Sequence, residues 1–231
     1  MAIGFLGLIA PSECRADPLL QFDPDPNQPL ILGINNTLTY TKSSGMFHAE
    51  ALPISYTSPV APDGFFSSGL MTVDLKVNQN GSLVSGGTGV TLTGSLDVNN
   101  DGTDDVSGNL LTGVITAFGS DLPGPPSRLF NGFFQVTGGA LTGSIPLSGG
   151  GSIFGGFNIG AGNAFIVTAE NVNSGILGDF QADFSSNNGK LEFLGVVPEP
   201  GSLSLSLIAV VMIAGPAWLR GRVARRPPHS P

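Results

Sequence analysis

The densest run of residues able to do chemistry is "DVNNDGTDD", residues 97 to 105. Asp97, Asn99, Asp101 and Asp105 place side-chain oxygens at the first, third, fifth and ninth positions, and Gly102 stands at the sixth. Oxygen ligands at alternate positions wrap a hard cation of Ca²⁺ size, and glycine at the sixth place permits the sharp turn this needs. The twelfth position is Gly108, where a helix-flanked calcium loop would need a bidentate Glu, and the flanks read as strands. Asn, Asp and Gly are equally the residues of tight hairpin turns. Two readings therefore stand: a calcium loop between strands, held by Asp97, Asn99, Asp101 and Asp105, and an acidic turn without a metal.

Other reactive types are scarce. Between the termini the one histidine is His48, in "MFHAE", on the same strand face as Glu50. One imidazole and one carboxylate are too few for a dedicated zinc site, so an ordinary strand histidine is expected. Cys14 is the one cysteine, and no G-x-S-x-G surrounds any serine. Asp104 and Asp105 could pair as glycosidase acid and base, but they fall inside the acidic loop. The Gly-rich "SGGGSIFGGFNIGAG" (148 to 162) lacks the lysine of a phosphate-binding loop and reads as turns between strands. "NNT" (35 to 37) and "NGS" (80 to 82) are glycosylation sequons by pattern alone. No enzymatic activity is expected from this inventory.

The elements that would position these residues follow a period of two. "NTLTYT" (36 to 41), "LMTVDLKV" (70 to 77), "VTLTGSLDV" (90 to 98) and "AFIVTAENV" (164 to 172) alternate apolar and polar residues, separated by Gly, Asn, Asp or Pro. The expected fold is all-β: an antiparallel sandwich or barrel-like domain. Leu92-Thr93-Gly94, Leu111-Thr112-Gly113 and Leu141-Thr142-Gly143 repeat one theme at unequal spacing, so they read as similar strands in one sheet system, with glycine marking a bulge or close approach. "GSDLPGPPSRLFNG" (119 to 132) reads as a long loop, because its prolines cannot sit in a central strand. The Phe-rich "LFNGFFQV" and "GSIFGGFNIG" read as core, with an exposed sugar-stacking platform as the alternative.

Charge separates the body from the ends. From Asp17 to Pro200 sixteen carboxylates face four cations, a net charge near −12, whereas four arginines crowd the last twelve residues. An acidic body without a basic cluster argues against nucleic acid as a partner. Residues 1–16 hold an apolar run, Ile3 to Ala10, and a small-x-small pattern ending at Ala16 that resembles a signal-peptidase site, although the basic segment expected before such a run is missing. Cleavage there would leave Asp17 first and remove Cys14. The extracytoplasmic domain would then be residues 17–195.

The C-terminal stretch, residues 196–226, combines three features in order. Pro198-Glu199-Pro200 is rigid and extended; Ser202 to Leu219 is an uncharged run of marginal membrane-spanning length; Arg220, Arg222, Arg225 and Arg226 follow at once. The arginines put the extreme C-terminus in the cytoplasm and the acidic body outside. This order resembles the PEP-CTERM sorting signal of exported bacterial proteins. The resemblance implies a transmembrane helix over 202–219, a recognition motif at Pro198, Glu199 and Pro200, a stop-transfer anchor at the four arginines, and exosortase, an integral-membrane transpeptidase, as partner. Stretches such as "LLTGVITAFG" and "FQVTGGALTGSI" also look like the β-rich bodies that often carry this signal. It implies a protein anchored transiently in the inner membrane and delivered to the cell envelope, outer surface or extracellular matrix, in bacteria that make exopolysaccharide. The functional expectation is a surface or matrix structural protein of biofilm or envelope, with an exopolysaccharide-binding module as the alternative and a hydrolase as the least favoured.

Overall fold

Side chains that alternate in polarity demand a sheet with one dry and one wet face, and the chain satisfies this by rolling its sheet into a cylinder. The computed structural model describes residues 28–58, 61–84, 89–120, 127–157, 159, 164–172 and 180–196. All lie within the unit Met1–Val197. The strands are β1 (Leu30–Thr41), β2 (Met46–Ser58), β3 (Ala61–Lys76), β4 (Gly89–Asp97), β5 (Val106–Ser120), β6 (Ser127–Gly138), β7 (Ser144–Pro146), β8 (Ser152–Phe154), β9 (Ala164–Val172) and β10 (Phe184–Val196).

Eight of them close a ring in the order β1-β10-β9-β6-β5-β4-β3-β2, every pair antiparallel. An even number of strands lets an antiparallel meander meet itself without a parallel seam, and closure removes the unpaired edges an open sheet would expose. The seam joins β1 to β10, with Leu30 opposite Leu194 and Tyr40 opposite Phe184. The meander is interrupted once: between β6 and β9 the chain forms a short 3₁₀ turn, Ala140–Thr142, and the two-stranded flap β7–β8.

Alternation decides which side chains enter. Phe47, Ala49 and Ala51 of β2, Met71, Val73 and Leu75 of β3, and Leu191 and Phe193 of β10 point inward and are buried. Each large side chain so buried contributes roughly 1.5–3 kcal/mol relative to exposure. The outer wall carries His48, Glu50 and Asp74 together with a row of threonines. Thr72 pairs with Thr91 and Thr91 with Thr112, while the Thr137 hydroxyl donates to that of Thr112 at 3.2 Å. Such cross-strand pairs add about 0.2–1 kcal/mol each. The same wall also exposes Leu52, Leu70 and Val114.

Both ends of the cylinder are plugged. At the upper end, where β1 turns into β2, Phe180 is 1% exposed and meets Tyr40 edge-on at 4.9 Å between ring centroids, with Phe184, Phe118 and Phe130 at 5.7, 6.2 and 6.3 Å. At the lower end the flap segment buries Leu141, Ile145 and Phe157, and the Tyr56 hydroxyl donates to the Gly155 carbonyl at 2.7 Å. The cavity left among Phe47, Val73, Ile115, Phe118, Phe130 and Asn131 is about 10 Å³, at the lower limit for one water molecule. An eight-stranded barrel is just wide enough for its own side chains to fill it, and the described inward side chains pack in this way.

Several expectations are met. "VTLTGSLDV" is β4 plus its first loop residue and "AFIVTAENV" is β9. Gly94 and Gly113 lie beside register shifts in the β4/β5 and β5/β6 ladders, as close-approach glycines should. Gly94 has φ +150°, and a Cβ there would lie 2.3 Å from the Ser68 carbonyl oxygen. The third member of the theme departs: Leu141 and Thr142 form the 3₁₀ turn, because the chain leaves the barrel there to build the flap. Residues 119–132 are mostly strand, since β5 runs to Ser120 and β6 starts at Ser127; only 121–126 lie between them, outside the described residues. The prolines thus sit between two paired strands of one barrel. Of the Phe-rich stretches, Phe130, Phe134 and Phe157 are core, Phe133 is half-buried outside the core cluster, and Phe154 on β8 and Ile159 are 43% and 59% exposed.

Among the described residues no helix is long and apolar enough to cross a membrane. The predicted signal (1–16), the motif Pro198, Glu199 and Pro200, the span 202–219 and Arg220, Arg222, Arg225 and Arg226 lie outside the described residues.

Candidate functional site

The acidic loop joins β4 to β5 at the lower end. Its conformation is written by side chains too short to reach far and rich enough in oxygen to capture nearby backbone N–H groups. Asp97, 8% exposed, accepts from the Asp101 N–H at 3.2 Å through Oδ1 and from the Gly102 N–H at 2.7 Å through Oδ2. Asn99 accepts from the Asp101 N–H at 3.1 Å and donates its amide to Asp101 Oδ2 at 3.0 Å. Asp101 Oδ1 takes the Thr103 N–H at 2.9 Å. Two residues adopt left-handed backbone, Asn100 at φ 57° and Gly102 at φ 88°, and these types tolerate it best.

Asp105 closes the loop and extends it. Its Oδ2 accepts from the Val98 and Asn99 N–H groups at 2.9 and 3.3 Å, and its Oδ1 from the Ser148 N–H at 2.6 Å. Ser148 lies in the turn between β7 and β8, and its hydroxyl also donates to Asp101 Oδ2. That hydroxyl is the foremost reason why the Asp101 carboxyl is held below its ordinary pKa; desolvation opposes it as the next-largest effect, and the Thr103 and Asn99 donors add to the lowering. Asp104 turns away and accepts from the Ser67 hydroxyl of β3 at 3.1 Å. The loop therefore fastens three elements at once: its own hairpin, the flap and β3.

The four predicted oxygen donors share this loop, and the glycine sits where the turn needs it. Their oxygens serve protein donors, however, and among the described residues no three His, Cys, Asp or Glu side chains converge on a point that would hold a metal ion. Each carboxylate has further lone pairs beyond these bonds, so Asp97 and Asp101 can accept from the backbone amides and Ser148 and still face a cation.

His48 lies elsewhere, on the outer wall. Its Nδ1 is 2.7 Å from Asp74 Oδ1 across the β2–β3 ladder, and its Nε2 is 3.6 Å from Glu50 Oε2. The sequence pointed to Glu50 through its i, i+2 spacing but not to Asp74 or Ser148. Only strand pairing brings Asp74 opposite His48, and only the flap's return carries Ser148 across a separation of 43 residues to Asp105.

No protein-family model matches this sequence, and no curated protein or solved structure matches it either. The functional argument accordingly rests on the residues themselves.

Proposed function

We propose that this chain is an exported, non-enzymatic structural protein of the bacterial cell surface or extracellular matrix, sorted by exosortase through its tail. The observation that supports the non-enzymatic part is the dense interior among the described residues, where the cavity beside Phe47, Ile115 and Phe130 is about 10 Å³ against the roughly 300–1,000 Å³ of ordinary small-molecule sites. Plugged ends suit a rigid module. The export part is supported by the order of Pro198-Glu199-Pro200, the apolar run 202–219 and the four arginines. Recognition would use the extended Pro-Glu-Pro, while Arg220, Arg222, Arg225 and Arg226 hold the span against translocation until the tail is processed. Deleting Pro198–Pro231 should release the protein into the medium of a host that has exosortase. Unchanged retention in the envelope of that host would overturn the sorting reading.

A second reading, an exopolysaccharide-binding module, is favoured by two exposed rings. Phe65 is 50% and Phe154 43% exposed, and both lie at the lower end with the acidic loop, Phe65 being paired with Asp97. Sugar rings stack on such faces, and neutral or cation-bridged glycans would tolerate the carboxylates. Sedimentation with exopolysaccharide that is lost in Phe65→Ala/Phe154→Ala would favour this reading; no retention on a broad polysaccharide panel would sink it. Ca²⁺ enters as a structural ligand of Asp97, Asn99, Asp101 and Asp105 within either reading. Millimolar Ca²⁺ should then raise the melting temperature of the full chain, and an unchanged value would remove the ion from the proposal.

A further inference from the structure

The outer wall holds one polar cluster that neither reading uses. β2 places His48 and Glu50 two residues apart on the same face, and β3 sets Asp74 opposite His48. All three side chains are between a third and a half exposed, at 35%, 44% and 47%. Asp74 Oδ1 lies 2.7 Å from His48 Nδ1. An ionised carboxylate only accepts, so the proton of this hydrogen bond belongs to Nδ1, and in the neutral imidazole Nε2 is left with its lone pair.

That lone pair faces a second carboxylate. Nε2 stands 3.6 Å from Glu50 Oε2, too far for a hydrogen bond and repulsive unless a cation lies between them. The separation is close to the roughly 3.4 Å between two ligand atoms that each sit about 2.1 Å from a tetrahedral ion. A carboxylate holding the far nitrogen of a metal-bound imidazole is the usual second partner of such a ligand, fixing its tautomer and raising its basicity.

We propose that His48 Nε2 and Glu50 Oε2 bind a divalent transition-metal ion, Zn²⁺ or Cu²⁺, on the outer barrel wall, with Asp74 orienting the imidazole and water completing the shell. Imidazole selects these ions over Ca²⁺ and Mg²⁺, which take oxygen donors. Two protein ligands are too few for a dedicated, closed zinc site; on an open wall, with Asp74 behind the imidazole, they make an exchangeable one, separate from the acidic loop. The cluster is built by register: a one-residue slip of β2 on β3 would turn His48 inward and abolish it.

The test uses the full chain carrying Cys14→Ser and His229→Gln, which removes every other thiol and imidazole. Calorimetric titration with ZnCl₂ at neutral pH should show one ion per chain, and Cu²⁺ spectra by electron paramagnetic resonance should show one coordinated nitrogen. His48→Gln should abolish both signals, Glu50→Gln should weaken Zn²⁺ binding, and Asp74→Asn should weaken it about 10-fold or more with the nitrogen signature retained. Asp101→Asn/Asp105→Asn should leave it unchanged. Absence of binding, or binding that survives His48→Gln, would overturn the proposal.

Discussion

Replacing Phe180 with alanine tests whether the barrel is a solid body or a container. Phe180 is 1% exposed and has four aromatic neighbours, with ring centroids from 4.9 to 6.3 Å. Truncating a buried Phe to Ala costs about 3–5 kcal/mol through lost transfer energy and the cavity left behind, and the ring pairs place this site in the upper part of that range. Against a total stability of roughly 5–15 kcal/mol, the loss is severe. At about 2–4 °C per kcal/mol for a domain of this size, the melting temperature should fall by about 8–20 °C. Urea unfolding of the full chain followed by circular dichroism measures it, with an unchanged slope on denaturant showing that the native state is still compact. Phe65→Ala, at a ring 50% exposed, should stay within about 0.5 kcal/mol. A small aromatic guest such as benzene should recover part of the loss in Phe180→Ala by occupying the space. A cost below about 1 kcal/mol for Phe180→Ala would refute the reasoning: the upper end would then be open, and the lumen available to ligands.

Three further outcomes follow from particular contacts. Gly94→Ala should destabilise by about 1–3 kcal/mol or more, because φ is +150° and the added methyl would meet the Ser68 oxygen at 2.3 Å; thermal melting checks it. Asp105→Ala should cost about 1–3 kcal/mol by leaving the Val98, Asn99 and Ser148 N–H groups without their acceptor, and amide exchange at Ser148 should quicken while that of β2 and β3 does not. Burial raises the pKa of both tyrosines, Tyr40 and Tyr56, above the ordinary value of 10.0, foremost by desolvation. The fold therefore favours the neutral phenols: their contribution is fully present below about pH 10 and is lost as pH rises through the folded-state values. Tyrosinate absorbance should appear together with loss of the β signal above that pH, and ionisation of both rings in an intact barrel would contradict the burial.

Much of the fold was legible in the chain itself, and the reason is local. A strand's side chains alternate whatever it pairs with, so "AFIVTAENV" announces β9 and "VTLTGSLDV" announces β4. The turn-forming composition of "DVNNDGTDD" likewise sets the loop between β4 and β5. The proposal of a sorting tail rests on covalent order alone, Pro-Glu-Pro before an apolar run before arginines. Acidity and the near absence of cysteine and histidine narrowed the chemistry for the same reason: composition needs no folding to be true.

What the tertiary structure decided is everything that depends on pairing between distant segments. Sandwich and barrel share one alternating pattern, and the choice was made by β10 returning to β1, which no local signal encodes. The loop's carboxylates gain a donor that no local pattern announces, Ser148 from the flap, which bonds both Asp101 and Asp105. His48 acquired Asp74 only through register. Alternation tells each residue which face it takes, but side-chain chemistry is set by the neighbour opposite, and that neighbour is chosen by the closure of the whole barrel.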